Sequence, residues 1–275
     1  MNATTAMIYG VIQGLSEFLP VSSSGHLAIL PFLMEFQDPG VLFDLCLHLG
    51  TAAAVILYFR KRILDLVTVC GPGLVDFKLQ DERRVFVRNF IFATAVSVFI
   101  ILLLKPFSHF GRSPWIVMMN QAIFGLLLWR ADIVQRQKAS AARGDFFSDR
   151  PRWKEVAIIG AAQALAIFPG VSRSGITLTA AFMLGIERHQ ASSFSFLLSL
   201  PIILAGVLVE IPDIAIAVKS GQFNYQVLLI GVLVSFIVGL LTIHFFLKLI
   251  TRIQLKWFSI YRMMLAVLLL YFLLT

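Results

Sequence analysis

Apolar residues gather along this chain in six runs near 41–59, 86–104, 114–130, 190–210, 226–247 and 257–274. A helix needs about 20 residues to cross ~30 Å of hydrocarbon, so these runs predict six transmembrane helices. Two further apolar runs, Leu27–Met34 and Ile176–Ile186, break the pattern. At about 1.5 Å per residue neither can span a bilayer. Each follows a short polar break, so each predicts a re-entrant hairpin: a half-helix in, a polar tip, and a half-helix out. Irregular backbone at membrane depth is tolerated only where protein buries it or a wet cavity meets it.

The two broken segments are copies of each other. The first reads Gly10-Val-Ile-Gln13-Gly-Leu15-Ser-Glu17-Phe18-Leu-Pro20-Val21-Ser22-Ser23-Ser24-Gly25-His26. The second reads Gly160-Ala-Ala-Gln163-Ala-Leu165-Ala-Ile167-Phe168-Pro169-Gly-Val171-Ser172-Arg173-Ser174-Gly175-Ile176. Each half is then one hairpin plus three spans, over 1–130 and 154–275, with 131–153 as a cytoplasmic linker. Three spans is an odd number, so the halves are inverted relative to one another. The expected fold is an all-α polytopic membrane protein: six transmembrane helices plus two re-entrant helical hairpins in an inverted repeat. Paired interruptions of this kind point to a binding site at the repeat interface.

Composition agrees. Of 275 residues, 59% are hydrophobic and 14% charged, and the mean hydropathy is +0.87. A soluble domain is nearer a quarter charged. The net charge of +8 is not arranged as a basic stripe with interleaved aromatics, so no nucleic-acid partner is expected. Eighteen of the 23 Lys and Arg fall in segments 60–88, 130–154, 187–189 and 248–256, all on one side of the expected topology. Lys105, Arg112 and Lys219 fall on the other. The positive-inside rule then puts the basic side in the cytoplasm and both termini outside. The four tryptophans, Trp115, Trp129, Trp153 and Trp257, lie near span ends as an interfacial belt would. MNATTAMIYG lacks a basic n-region and a small-residue cleavage site, so a removable signal peptide is not expected. Cys46 and Cys70 have no metal or redox spacing, and no disulfide between them is expected.

The chemistry sits where the copies differ. Glu17, Ser23 and His26 in the first stand against Ile167, Arg173 and Ile176 in the second. Each Val-Ser-x-Ser-Gly tip opens a helix, and two helix N-termini aimed at one point attract an anion. Ser22, Ser24 and Gly25 of one tip, and Ser172, Ser174 and Gly175 of the other, are expected to bind it. Thr177 is a further donor. Arg173 suits bidentate contact with phosphate; the alternative is an ion pair with Glu17 that braces the halves. Gln13 and Glu17 share a helix face, where they either hold a hard cation, Mg²⁺ or Ca²⁺, or simply bond to one another. His26, three residues after Ser23, is placed to take its proton, or acts as a nucleophile itself. Arg262 either points into the cavity, as a substrate ligand, or snorkels to the interface.

These motifs resemble the two signatures of the bacterial undecaprenyl-diphosphate phosphatase family, of the bacitracin-resistance type. The likeness extends over nearly the whole chain, including Phe194-Ser-Phe-Leu-Leu-Ser-Leu-Pro201 and the late Tyr261-Arg262. It implies an inner-membrane enzyme whose site opens outward. That enzyme would cleave the terminal phosphate from a C55 polyprenyl diphosphate and recycle the cell-wall lipid carrier. It also implies dependence on a divalent cation. Residue by residue, the resemblance puts the family's acidic motif on Gln13 and Glu17, its serine and histidine on Ser23 and His26, and its phosphate-binding arginine on Arg173. His48 stands where other members carry glutamine. A polyprenyl-phosphate flippase using the same anion site is the alternative. A homodimer is one expected assembly, although the sequence does not fix it.

Overall fold

The computed structural model describes residues 1–34, 38–69, 81–107, 113–138, 145–219 and 224–274. Cys70, Lys78, Arg112 and Arg143 lie outside the described residues. Among those described, every regular element is a helix. Six helices are long and apolar enough to cross a membrane: Val41–Tyr58, Glu82–Phe107, Pro114–Lys138, Arg188–Ala217, Tyr225–Leu249 and Lys256–Leu274. They fall on the six expected runs, mostly with longer ends.

The helical parts of these spans are α3 (Val41–Tyr58), α5 (Glu82–Leu104), α6 (Pro114–Lys138), α9 (Arg188–Lys219), α10 (Tyr225–Leu249) and α11 (Lys256–Leu274). Four shorter helices carry the two copied segments: α1 (Ala3–Ser16), α2 (Ser23–Met34), α7 (Trp153–Ala164) and α8 (Arg173–Met183). A 3-10 turn, Leu165–Ile167, follows α7. One helix was not foreseen. The segment 60–88, expected as a loop, contains α4 (Arg60–Val69) and the start of α5. Basic side chains there extend from helix ends, as long cationic chains do at an interface.

The short helices are seated by close backbone approach. α1 packs along α10, and α7 packs along α5. The equivalent glycines of the two copies make this possible. A Cβ on Gly10 would stand 2.6 Å from the Gly231 carbonyl oxygen of α10. One on Gly160 would stand 2.3 Å from the Ala93 carbonyl oxygen of α5. Small residues let apolar helices touch through their backbones, which supplies dispersion where lipid removes the hydrophobic drive. Around this frame, α3 packs on α10 and α9, α6 on α11 and α8, and α8 on α7 and α9.

The described parts of 131–153 are helical or packed, where the sequence suggested a hydrophilic loop. α6 continues to Lys138, and the segment from 145 to 150 folds onto the helices. Phe147 is buried and stacks on Phe194 with ring centroids 3.8 Å apart. Asn89 donates to the carbonyls of Phe147 and Arg150, at 3.0 and 3.1 Å. Cys46 is buried and free.

Candidate functional site

Both tips break their helices in the same way. Ser22 and Ser172 are the two non-glycine residues with positive φ among those described, at 74° and 72°. That region is costly for a side-chain-bearing residue and persists only where surroundings enforce it. Here the hydroxyls do so. Ser22 Oγ accepts from the Gly25 amide at 3.4 Å, and Ser172 Oγ from the Gly175 amide at 3.1 Å. Each serine thus caps the helix it precedes.

The tips meet, and the contacts are reciprocal. The Gly170 amide of the second donates to Ser24 Oγ of the first at 3.4 Å. Ser174 Oγ of the second donates to the Leu19 carbonyl of the first at 3.1 Å. α6 braces both, through Gln121 to the Val21 carbonyl at 3.2 Å and Asn120 to the Pro169 carbonyl at 2.8 Å. Arg262 is the hub. It is fully buried, and its guanidinium donates to the carbonyls of Pro20, Asn120, Gln121, Gly170 and Val171, at 2.8 to 3.4 Å. Arg262 neither snorkels to the interface nor lines the groove; its donors are spent on backbone carbonyls of both tips and of α6.

Glu17 is the centre of the polar cluster. Its carboxylate is buried and receives Ser23 Oγ at 2.7 Å and Gln13 Nε2 at 3.0 Å, both on Oε2. His48 Nε2 lies 3.4 Å from the same oxygen, and Arg173 Nη2 lies 3.7 Å from Oε1. One carboxylate thus collects a hydroxyl from the first tip, a guanidinium from the second and an imidazole from α3. In low dielectric these attractions are far stronger than in water. Arg173 also donates to the Ser199 carbonyl at 3.4 Å, which fixes its reach. Its side chain remains one-fifth exposed, so it keeps access to a ligand.

Two expected placements come out otherwise. His26 does not pair with Ser23. Its Nδ1 bonds the Ser22 carbonyl at 2.7 Å, and its Nε2 bonds the Tyr261 hydroxyl at 2.6 Å. The imidazole stacks flat on the Tyr261 ring, with centroids 5.5 Å apart. Thr177 is fully buried, and its hydroxyl is held by the Arg173 carbonyl and by Ser195 rather than turned to the cavity. His48 is the residue whose place in the site the sequence left open. A polar residue inside the apolar run of α3 was its signal.

A groove of about 1010 Å³ leads away from this centre, between α2 and α11. Ile29, Leu33, Leu265 and Leu268 line it, and His26 and Tyr261 stand in its wall. The same pair also lines a second pocket, of about 380 Å³, between the first tip and Trp257.

Of the residues expected to hold a divalent cation, Gln13 and Glu17 differ. Gln13 Oε1 is buried without a hydrogen-bond partner. Both oxygens of Glu17 already face protein donors. By themselves the two do not make a cation site, and the described residues contain no cluster of three His, Cys, Asp or Glu side chains suited to one.

Two interlocked polar tips around a half-buried serine on a buried carboxylate, inside a bundle of six membrane-length helices, define a multi-pass membrane protein with a polar site among its helices. The family described as bacitracin resistance protein BacA matches residues 6–268, nearly the whole chain. The chain belongs to that family, an undecaprenyl pyrophosphate phosphatase family.

Proposed function

We propose that this protein hydrolyses undecaprenyl diphosphate to undecaprenyl phosphate and inorganic phosphate. The observation that carries the reading is the 2.7 Å hydrogen bond from Ser23 Oγ to Glu17 Oε2, with Arg173 beside it. A carrier needs anion donors but no activated hydroxyl. Here the hydroxyl faces a carboxylate that can take its proton.

In this reading Ser23 Oγ attacks the terminal phosphorus, and its proton passes to Glu17. The bond from phosphorus to the bridging oxygen breaks, and the electron pair leaves on the polyprenyl phosphate. Arg173 and the two helix N-termini stabilise the charge on the transferring group, the main task in phosphoryl transfer. Water then attacks the phosphoserine, and Glu17 returns the proton to Ser23. His26 stands between the polar centre and the apolar groove, where the bridging oxygen and the lipid tail part. Its role shifts from base for Ser23 to positioning: its Nδ1–H is given to the Ser22 carbonyl and its Nε2 accepts from the Tyr261 hydroxyl, so the imidazole fixes the first tip against the groove wall. Ser22 and Ser172 cap the two helices whose amides bind the anion; Ser24, Gly25, Ser174 and Gly175 complete those turns. The groove beyond His26 and Tyr261 suits a polyprenyl chain.

The finer architecture belongs to the same proposal. α1 on α10 and α7 on α5 are equivalent pairings under an exchange of halves 1–130 and 154–275 joined by 131–153. The reciprocal tip contacts and paired positive-φ serines support two re-entrant hairpins in an inverted repeat. We place the protein in the bacterial inner membrane, with the basic loops in the cytoplasm and the site open outward. Divalent-cation dependence and a homodimer belong to the same proposal.

The test is phosphate release from polyprenyl diphosphate by purified protein in detergent, beside Ser23→Ala. Release by wild type and loss in the variant, with lipid binding kept, supports the reading. Absence of release from folded wild type, under several cations, overturns it and leaves the flippase, assayed by lipid translocation in liposomes.

A further inference from the structure

Four groups surround the Glu17 carboxylate, and they belong to different parts of the fold. Ser23 and Gln13 sit on the same hairpin as Glu17 and travel with it. Arg173 comes from the second tip. Of these four, His48 alone comes from a full span, α3. α1 and α3 are both seated on one turn of α10. A Cβ on Gly14 of α1 would stand 2.9 Å from the Ser235 carbonyl oxygen, and one on Gly50 of α3 would stand 3.0 Å from Ser235 Cβ. Ser235 Oγ also donates to the Leu47 carbonyl, next to His48, at 2.9 Å. That shared seat sets the spacing of the two helices, and so the meeting of His48 Nε2 with Glu17 Oε2 at 3.4 Å. The ring is also held from its other side, where Nδ1 stands 2.7 Å from the Asp44 carbonyl. A backbone carbonyl and a carboxylate have only lone pairs to offer. A ring between the two fits with hydrogen on both nitrogens, as an imidazolium.

We infer that His48 is the positioning residue of the reacting pair: from α3 it pins Glu17 Oε2 toward Ser23, and it stays as the carboxylate's counter-charge when Arg173 turns to the substrate. The inference rests on the phosphatase reading, in which Arg173 neutralises the transferring phosphoryl group. Arg173 lies 3.7 Å from Glu17 Oε1 and keeps one-fifth of its side chain exposed, so an incoming diphosphate competes with Glu17 for it. A buried carboxylate that loses its partner is costly. Gln13 and Ser23 bring donors but no charge. His48 brings both, from a helix that does not belong to either tip. It borders neither the large groove nor the smaller pocket, so it serves the carboxylate and not the lipid.

The test is a double-mutant cycle on full-length protein in detergent, read as kcat and KM for phosphate release from polyprenyl diphosphate. His48→Leu should lower kcat by about 10²-fold. His48→Gln keeps one donor without the charge and should lower it by about tenfold, each variant keeping KM within about twofold of wild type. In a Glu17→Gln background, His48→Gln should cost nothing further. A residue that acts through the carboxylate has no target once the carboxylate is gone, whereas a merely structural loss would add. Thermal midpoints check that the variants fold; if His48→Leu does not, His48→Gln carries the cycle. Additive losses, a raised KM with kcat kept, or full activity of His48→Gln overturns the inference and leaves the phosphatase reading standing. No release from folded wild type removes that reading, and the role of His48 with it.

Discussion

The two tips have nearly the same backbone and opposite chemistry. Each turns on a serine with φ near +73°, at 74° and 72°, and caps its helix through that hydroxyl. Then they part. The first puts a hydroxyl where the second puts a guanidinium, at Ser23 and Arg173. The first ends its half-helix on Glu17, the second on Ile167. In the proposed reaction the shared backbone of the tips cradles the anion, and a few side chains decide which copy reacts and which neutralises. The difference also explains why Glu17 is tolerated in buried surroundings, since the second copy supplies its counter-charge. A buried carboxylate without such a partner would be costly.

Substitutions that erase the difference should have the largest effects. Ser23→Ala removes the proposed nucleophile and should lower phosphate release by about 10⁴-fold or more, with no phosphoenzyme trapped in a rapid quench. Glu17→Ile makes the first copy match the second. It should cost about 10³-fold, and Glu17→Gln nearly as much, whereas Ile167→Val in the second copy should leave turnover unchanged. Arg173→Lys keeps the charge but loses the forked donor geometry, for a fall of about 10²-fold in kcat/KM. His26→Ala should fall by a similar factor, with Tyr261→Phe milder. A larger loss from His26→Ala than from Glu17→Gln would return the base role to the histidine. Arg262→Met attacks what the tips share and should lower stability by about 3 kcal/mol or more, read as a lower thermal midpoint in detergent. Ser22→Gly is the smallest change. It relieves roughly 1 kcal/mol of left-handed strain but deletes the cap, so the midpoint should move little.

The six spans were legible because length and unbroken apolarity suffice to define a transmembrane helix. The tips were legible because a polar break repeated 150 residues later is improbable without a shared role. Pairings across the fold were not. Spacing suggested that His26 would serve Ser23, but the carbonyl of Ser22 captures its Nδ1 and Tyr261, 235 residues on, takes the other nitrogen. Placement of His48 beside Glu17 depends on how α3 lies against α1, which no local pattern states. Arg262 looked like a choice between cavity and interface. Three carbonyls of the two tips and two of α6 offered a third place. α4 was missed because a short, strongly basic helix has no long apolar run to announce it.

Arg262 lies on α11, and the carbonyls it binds include Pro20, 242 positions earlier. The same guanidinium holds Asn120 and Gln121 of α6 and Gly170 and Val171 of the second tip. One side chain therefore ties three distant stretches of sequence to α11, and a shift of that helix would tug both tips at once. α11 also forms a wall of the apolar groove. Whatever fills the groove and the spacing of Ser23 from Arg173 thus share one rigid support.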